Sequence, residues 1–192
     1  MTFLNLSTAM QIDELRKNAN QDPYYHGIGC IRLKMPNRQM YSFYSKKLTQ
    51  PISNYIHTHQ HDLYCESVYG RYKNTIYDYT ITNEYTEYCM QKIACKDNVE
   101  PKMLYENVIP HVKHESLLLA NMTHTHSGLH IVEPIDDVVI TKVTRGRTFH
   151  PIAKIIRNKT EPYVCGLSQR GTPEDNWGII EEILNETQLS SC

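Results

Sequence analysis

Ten histidines stand in a chain of 192 residues, and their placement is uneven. The pattern His-x-His occurs at His57/His59, at His59/His61 and at His124/His126, where chance placement gives roughly half of one such pair. In a strand, residues two apart share a face, so paired imidazoles on a concave wall converge on one point. Convergent neutral nitrogens are what a metal ion takes from imidazole. A single such pair is ordinarily a solvated surface feature. Two clusters far apart in the chain, each on a strand or strand edge, point to metal binding instead. A third ligand from a distant strand completes a facial triad with positions left for substrate and for O2 or water. The stretch Thr123–Pro134, reading THTHSGLHIVEP, supplies it, with His130 taken ahead of His126. No cysteine stands within four residues of another, so a closed structural zinc site is not expected.

Strands must position these histidines, and the sequence is rich in strand signals. From Tyr24 onward, short runs of Ile, Val, Tyr, Phe and Thr alternate with Pro, Gly, Asn and Asp. The predicted strands are 28–34, 40–46, 52–59, 63–69, 71–79, 85–94, 116–120, 130–133, 138–143 and 152–156. Such close, regular spacing with turns between marks a sandwich or barrel. Before them, Ser7 or Thr8 can cap a helix in which Met10, Ile12, Leu15 and Ala19 recur at helical spacing. After them, Pro173-Glu174-Asp175 opens a second helix whose Trp177, Ile180, Ile183 and Leu184 share one face. The fold class expected is all-β: a small antiparallel β-barrel or jelly roll with a helix at each end. Its parts are an N-terminal helical segment (1–22), the β-barrel (23–172) and a C-terminal helix (173–192). His111 and His114 flank Pro110 in a stretch that reads as loop, and count as surface residues.

Composition narrows the function classes. With 20 Lys+Arg against 21 Asp+Glu the net charge is −1, which excludes the basic field that nonspecific nucleic-acid binding needs. No apolar run is long enough to span a membrane, and the N-terminus has no basic leader before an apolar core. The six scattered cysteines read as reduced thiols, most of them small buried apolar residues. A soluble cytoplasmic protein is expected, binding neither nucleic acid nor membrane.

The segment His57-Thr-His59-Gln-His61-Asp62, followed by Gly70 and Arg71–Tyr77, resembles the first motif of the cupin superfamily. There His-x-His lies on one strand and a glycine opens the turn to the next. Ser127–Pro134 resembles the second motif, which supplies the last histidine, and is most similar to the cysteine-dioxygenase-like branch. The resemblance spans about residues 50–147 and is carried by those two motifs. It implies His57, His59 and His130 as metal ligands. Most cupins add a glutamate four or five residues after the second histidine. Here Leu63 and Tyr64 stand there, so the resemblance implies a three-histidine site. It also implies Fe(II); imidazole ligation alone leaves Zn, Ni and Mn open. Asp62 and Glu66 flank the missing carboxylate, and a bulge would bring one inward. With Tyr64 they are the candidate catalytic side chains, acting on the ligands or on protons. Glu133 is a further orienting candidate. Cys65 and the many tyrosines are similar to the pair cross-linked in some thiol dioxygenases, but the spacing from His57 is off by one and the cross-link is not carried over. The arginine that holds a substrate carboxylate in that branch has candidates in Arg32, Arg71 and Arg145.

Three functions follow as expectations. The first is an Fe(II) dioxygenase acting on a small thiol or another small anionic molecule. The second is a metal-dependent hydrolase, lyase or isomerase on the same scaffold. The third is a non-catalytic module holding a small ligand such as a nucleotide-derived signal. A homodimer is expected only by analogy with cupin-type barrels.

Overall fold

Side chains alternate across a strand, so a strand covered on both sides buries two different sets of residues. That rule organises this molecule. The computed structural model describes residues 8–27, 29–49, 55–93, 101–150, 152–161 and 171–189. Helix α1 (Thr8–Asn18) leads into β1 (Tyr24–His26), β2 (Cys30–Lys34), β3 (Gln39–Ser45), β4 (Ile56–His57), β5 (His61–Tyr69) and β6 (Tyr72–Ile81). Then come β7 (Tyr88–Ile93), β8 (Lys102–Leu118), β9 (Thr123–His126), β10 (Leu129–Pro134), β11 (Val138–Phe149), β12 (Ala153–Asn158) and helix α2 (Pro173–Leu189). The protein is thus mostly β, with two helices and two antiparallel sheets.

The first sheet runs β1-β2-β3-β11-β5-β9. Its outer face carries Ile31 and Leu33 of β2, Phe43 of β3, and Val138 and Ile140 of β11, which form one apolar cluster with Ile12 and Leu15 of α1 and Trp177, Ile180, Ile183 and Leu184 of α2. The helical periodicity seen in the sequence therefore faces this sheet. Thr172 caps α2: its hydroxyl accepts from the Asp175 amide (3.2 Å), and the Asp175 carboxylate accepts from the Thr172 amide (2.7 Å). The reciprocal pair satisfies two donors that the first turn leaves without partners. The intervening residues of the same strands, Arg32, Ser42, Tyr44, Thr141 and Val143, face the opposite way, into a cavity.

The second sheet runs β10-β4-β12-β7-β8-β6, and β6 pairs back onto β10, so its hydrogen bonding closes into a ring. Ile56, Met90, Val108, Leu129 and Ile156 pack inside it. Gly70 turns the chain from β5 to β6 with φ of 74°. A Cβ there would collide with the Val138 carbonyl oxygen, so this turn needs glycine both for its conformation and for space.

Strand bounds differ from the sequence expectation at several places. Residues 50–54, 94–100 and 151 lie outside the described ones, as does Ile28, and these positions take in one end of each of the predicted strands 28–34, 52–59 and 85–94. The predicted strand 116–120 is the tail of β8, which begins at Lys102. His111 and His114 accordingly sit in a strand, exposed, and not in a loop. Pro110 concealed this. It stands beyond Val108, where pairing with β7 ends, and a strand edge is where a sheet tolerates proline. The strand 138–143 continues to Phe149, and β1 and β9 are additional to the predicted strands.

Candidate metal centre

Backbone register brings the two histidine motifs together. In the second sheet β10 lies between β4 and β6, and His130 is the direct partner of His57. His59 follows two residues later, just beyond the end of β4. The ring centroids are 4.8 Å apart for His57/His59, 4.7 Å for His57/His130 and 5.0 Å for His59/His130. One ligand nitrogen from each of the three lies within 4.8 Å of the other two.

Their tautomers follow from the backbone. The Nδ1 of His57 is 2.8 Å from the Tyr55 carbonyl oxygen, and that of His130 is 3.1 Å from the Gly128 carbonyl oxygen. A carbonyl only accepts, so each Nδ1 carries the proton and each Nε2 keeps its lone pair. Gly128 makes its part possible by adopting φ of 102°. This is how metal-binding histidines are ordinarily oriented. Burial holds the rings neutral. It pulls His130 down to about 3, helped by His57, and it depresses His57 and His59 as well, with Arg32 adding its repulsion to both. The donor set therefore fits a cation: three neutral imidazoles line one cavity, and two of them keep Nε2 free of a proton.

The three histidines line a small cavity of about 30 Å³, together with Arg32, Cys65, Tyr72, His126, Ser42, Tyr44 and Thr141. Of the three arginines singled out in the sequence, Arg32 alone reaches it. Its Nε is buried and has no hydrogen-bond partner among the described residues. Burial, and then the neighbouring Cys30, raise the Tyr44 phenol well above its usual value, so it stays a neutral donor.

The remaining candidates are elsewhere. Arg71 is exposed and clamps Asp136 through Nε (3.0 Å) and Nη2 (2.7 Å). Arg145 is exposed toward the end of β11. Asp62, Tyr64 and Glu66 do not line the cavity. The reason is the pleat: Leu63, Cys65 and Ser67 face inward on β5, so the residues between them face out. The irregularities of β5 fall at its two ends, between Ser67 and Tyr69 and between Leu63 and His61, and Leu63–Ser67 pairs with β11 without a break. No bulge turns a carboxylate inward. Asp62 accepts from His150 (3.1 Å), Glu66 faces Lys142 at 3.9 Å, and Tyr64 is 55% exposed. Glu133 pairs with Lys73 at 2.8 Å. His61 turns its Nδ1 to the Thr148 carbonyl (3.1 Å), away from the other histidines.

Sequence reasoning ranked His126 behind His130 and set Cys65 aside, yet both line the cavity. His126 stacks on His130 with centroids 4.1 Å apart, and is 6% exposed. The His-x-His at 124/126 was the available signal.

No family model matches this chain, and no curated protein is similar to it. Among solved structures, that of Drosophila melanogaster CENP-C bound to CAL1 is similar at a TM-score of 0.37, with 10% identity over 72% of this chain and 95% of that one. A score that low carries no argument about fold or function.

Proposed function

We propose that the protein is a metal-dependent enzyme built on a cupin-type jelly-roll barrel, most simply an Fe(II) dioxygenase acting on a small thiol or another small anionic molecule. The observation that carries this reading is the pair of backbone-anchored imidazoles, His57 and His130, which with His59 bring three ligand nitrogens within 4.8 Å of one another. Bound there, Fe(II) would supply open positions for O2 beside a substrate, whereas zinc would supply Lewis acidity for hydrolysis or elimination. The chain's own residues set the substrate's charge. Three neutral ligands leave the ion's charge uncompensated, no carboxylate among the described residues lines the cavity, and Arg32 adds another positive charge. An anionic substrate restores the balance, with Arg32 as a fork for a carboxylate. The neutral hydroxyls of Tyr44, Ser42 and Thr141 are placed to hydrogen-bond it and fix its orientation.

The test is elemental analysis of untagged protein, wild type beside His130→Ala, purified without chelator or added metal. Near-stoichiometric iron that vanishes in the variant, with O2 uptake on adding small thiols, is the expected result. Zinc, nickel or manganese lost in the same way, with turnover under strict anaerobiosis, replaces the dioxygenase by the hydrolase, lyase or isomerase reading, which the same donor set supports. Wild-type protein that holds no metal overturns both and leaves the cavity as a ligand-binding site.

A further inference from the structure

Three other donors stand beside the first group: Cys65 and His126 line the same cavity, and His124 adjoins them. Cys65 faces inward from β5, and its direct antiparallel partner across the sheet is His124 of β9. Partners in register point to the same face, and His126, two residues on, shares it. The Cys65 sulfur and one nitrogen from each histidine lie within 4.8 Å of one another. Cys65 is 4% exposed.

The two imidazoles face each other through Nε2 atoms only 2.8 Å apart. Two nitrogens bound at 2.0–2.1 Å to one ion lie about 2.8–3.4 Å apart for angles between roughly 85° and 110°. At 2.8 Å the rings share a hydrogen bond, and a tetrahedral ion bound by both would open the separation to about 3.3 Å. The Tyr72 hydroxyl lies 3.1 Å from His124 Nδ1 and holds that ring in place. If Nδ1 donates to the tyrosine oxygen, His124 Nε2 is left with a lone pair aimed at His126. The Nδ1 of His126 is buried with no partner among the described residues. His126 is thus a buried imidazole with one unpartnered nitrogen, set beside the half-buried His124 and the Cys65 thiol, a group of donors that a cation would use.

We infer that Cys65, His124 and His126 hold a second metal ion, of the zinc class, with a fourth position opening toward the cavity shared with His57, His59 and His130. One thiolate and two imidazoles form a softer set than three imidazoles, and they favour zinc or Cu(I) over magnesium, calcium or manganese. The stacking of His126 on His130 makes the two groups adjoining walls of one chamber. This inference does not depend on which reaction the first group supports.

The test loads metal-free, untagged full-length protein with Co(II), and in parallel with Zn(II). Two equivalents per chain are expected, one of them giving a thiolate-to-cobalt charge-transfer band in the near ultraviolet. His57→Ala should lose one equivalent and keep the band. Cys65→Ala should lose the band and one equivalent while keeping the other. Because Cys65 is buried and its variant could misfold, X-ray absorption of zinc-loaded His57→Ala gives an independent reading with the second group intact. One sulfur at about 2.3 Å with nitrogens at about 2.0 Å is expected there. Zinc without a sulfur neighbour, or a cobalt band that persists in Cys65→Ala, overturns the inference and leaves the three-histidine reading standing. A single equivalent with sulfur, unaffected by His57→Ala, upholds it and removes the three-histidine reading instead.

Discussion

The two faces of the six-stranded sheet are made by the same strands, and the inner one buries polar groups beside apolar Met40, Leu63 and Val143. On the outer face Ile31, Leu33, Phe43 and Ile140 meet the helices, all of them fully buried and none of them polar. On the inner face their neighbours in sequence, Arg32, Ser42, Tyr44 and Thr141, meet a histidine-lined cavity. The difference teaches where this fold puts its stability and where it puts its chemistry. Apolar packing against α1 and α2 holds the sheet from one side, which frees the other side to bury imidazoles, a thiol and a guanidinium.

That separation can be broken or sharpened by measurement. The largest effect is expected on the apolar side. Phe43→Ala removes a ring with no exposed surface, and it should cost about 3–5 kcal/mol in denaturant unfolding. Metal content per folded molecule should stay unchanged. If metal is lost in step with stability, the two faces are not independent.

The inner face should reveal itself in acid. Metal-free His130 is held down to about 3 by burial and by His57, against roughly 6.5 in an unfolded chain. Between those values the unfolded chain takes up a proton that the fold refuses. Stability is therefore whole above about pH 6.5 and declines as the pH falls toward about 3, by on the order of 1 kcal/mol per pH unit for such a histidine. His59 is shifted the same way by burial, then by His57 and His130. Urea midpoints across this range should fall less steeply for His130→Gln, and an unchanged slope would count against the assignment.

A smaller cost is expected where one sheet passes into the other. Gly70→Ala places a methyl group against the Val138 carbonyl at positive φ, for a loss of roughly 1–3 kcal/mol seen as a lowered thermal midpoint. The smallest effects belong to the outward side chains of β5. Asp62→Asn, Tyr64→Phe and Glu66→Gln should each change stability by no more than about 0.5 kcal/mol and leave metal content intact. Loss of metal in any of them would return that residue to the site.

Much of this was legible in the sequence, and what was not has a common cause. Trp177, Ile180, Ile183 and Leu184 announced a helix face because a period near 3.6 needs no partner to be seen. The motifs around His57 and His130 were visible as spacing. The choice among Arg32, Arg71 and Arg145 was not, since it depends on which residues of each strand face inward, and that is fixed by neighbours remote in sequence. The same uncertainty put Asp62, Tyr64 and Glu66 in the site when Leu63 and Cys65 hold the inward positions. Arg32 itself lies between Ile31 and Leu33, and only the burial of those two against the helices sends the guanidinium the other way. Tyr72 and Cys65 meet His124 across strands whose pairing no local pattern records.

The position of β11 bears on how the chain comes to be folded. It lies between β3 and β5, so the first sheet is two separate pieces, each with a raw edge, until Val138–Phe149 has been synthesised. β10 plays a similar part in closing the second sheet between β4 and β6. Neither sheet can form early and wait for the other. Assembly depends on contacts between distant stretches of chain, which makes it slow and leaves unpaired edges open to neighbouring chains meanwhile. During translation, a ribosome stalled before residue 138 would display such edges, and would be the state most in need of a chaperone.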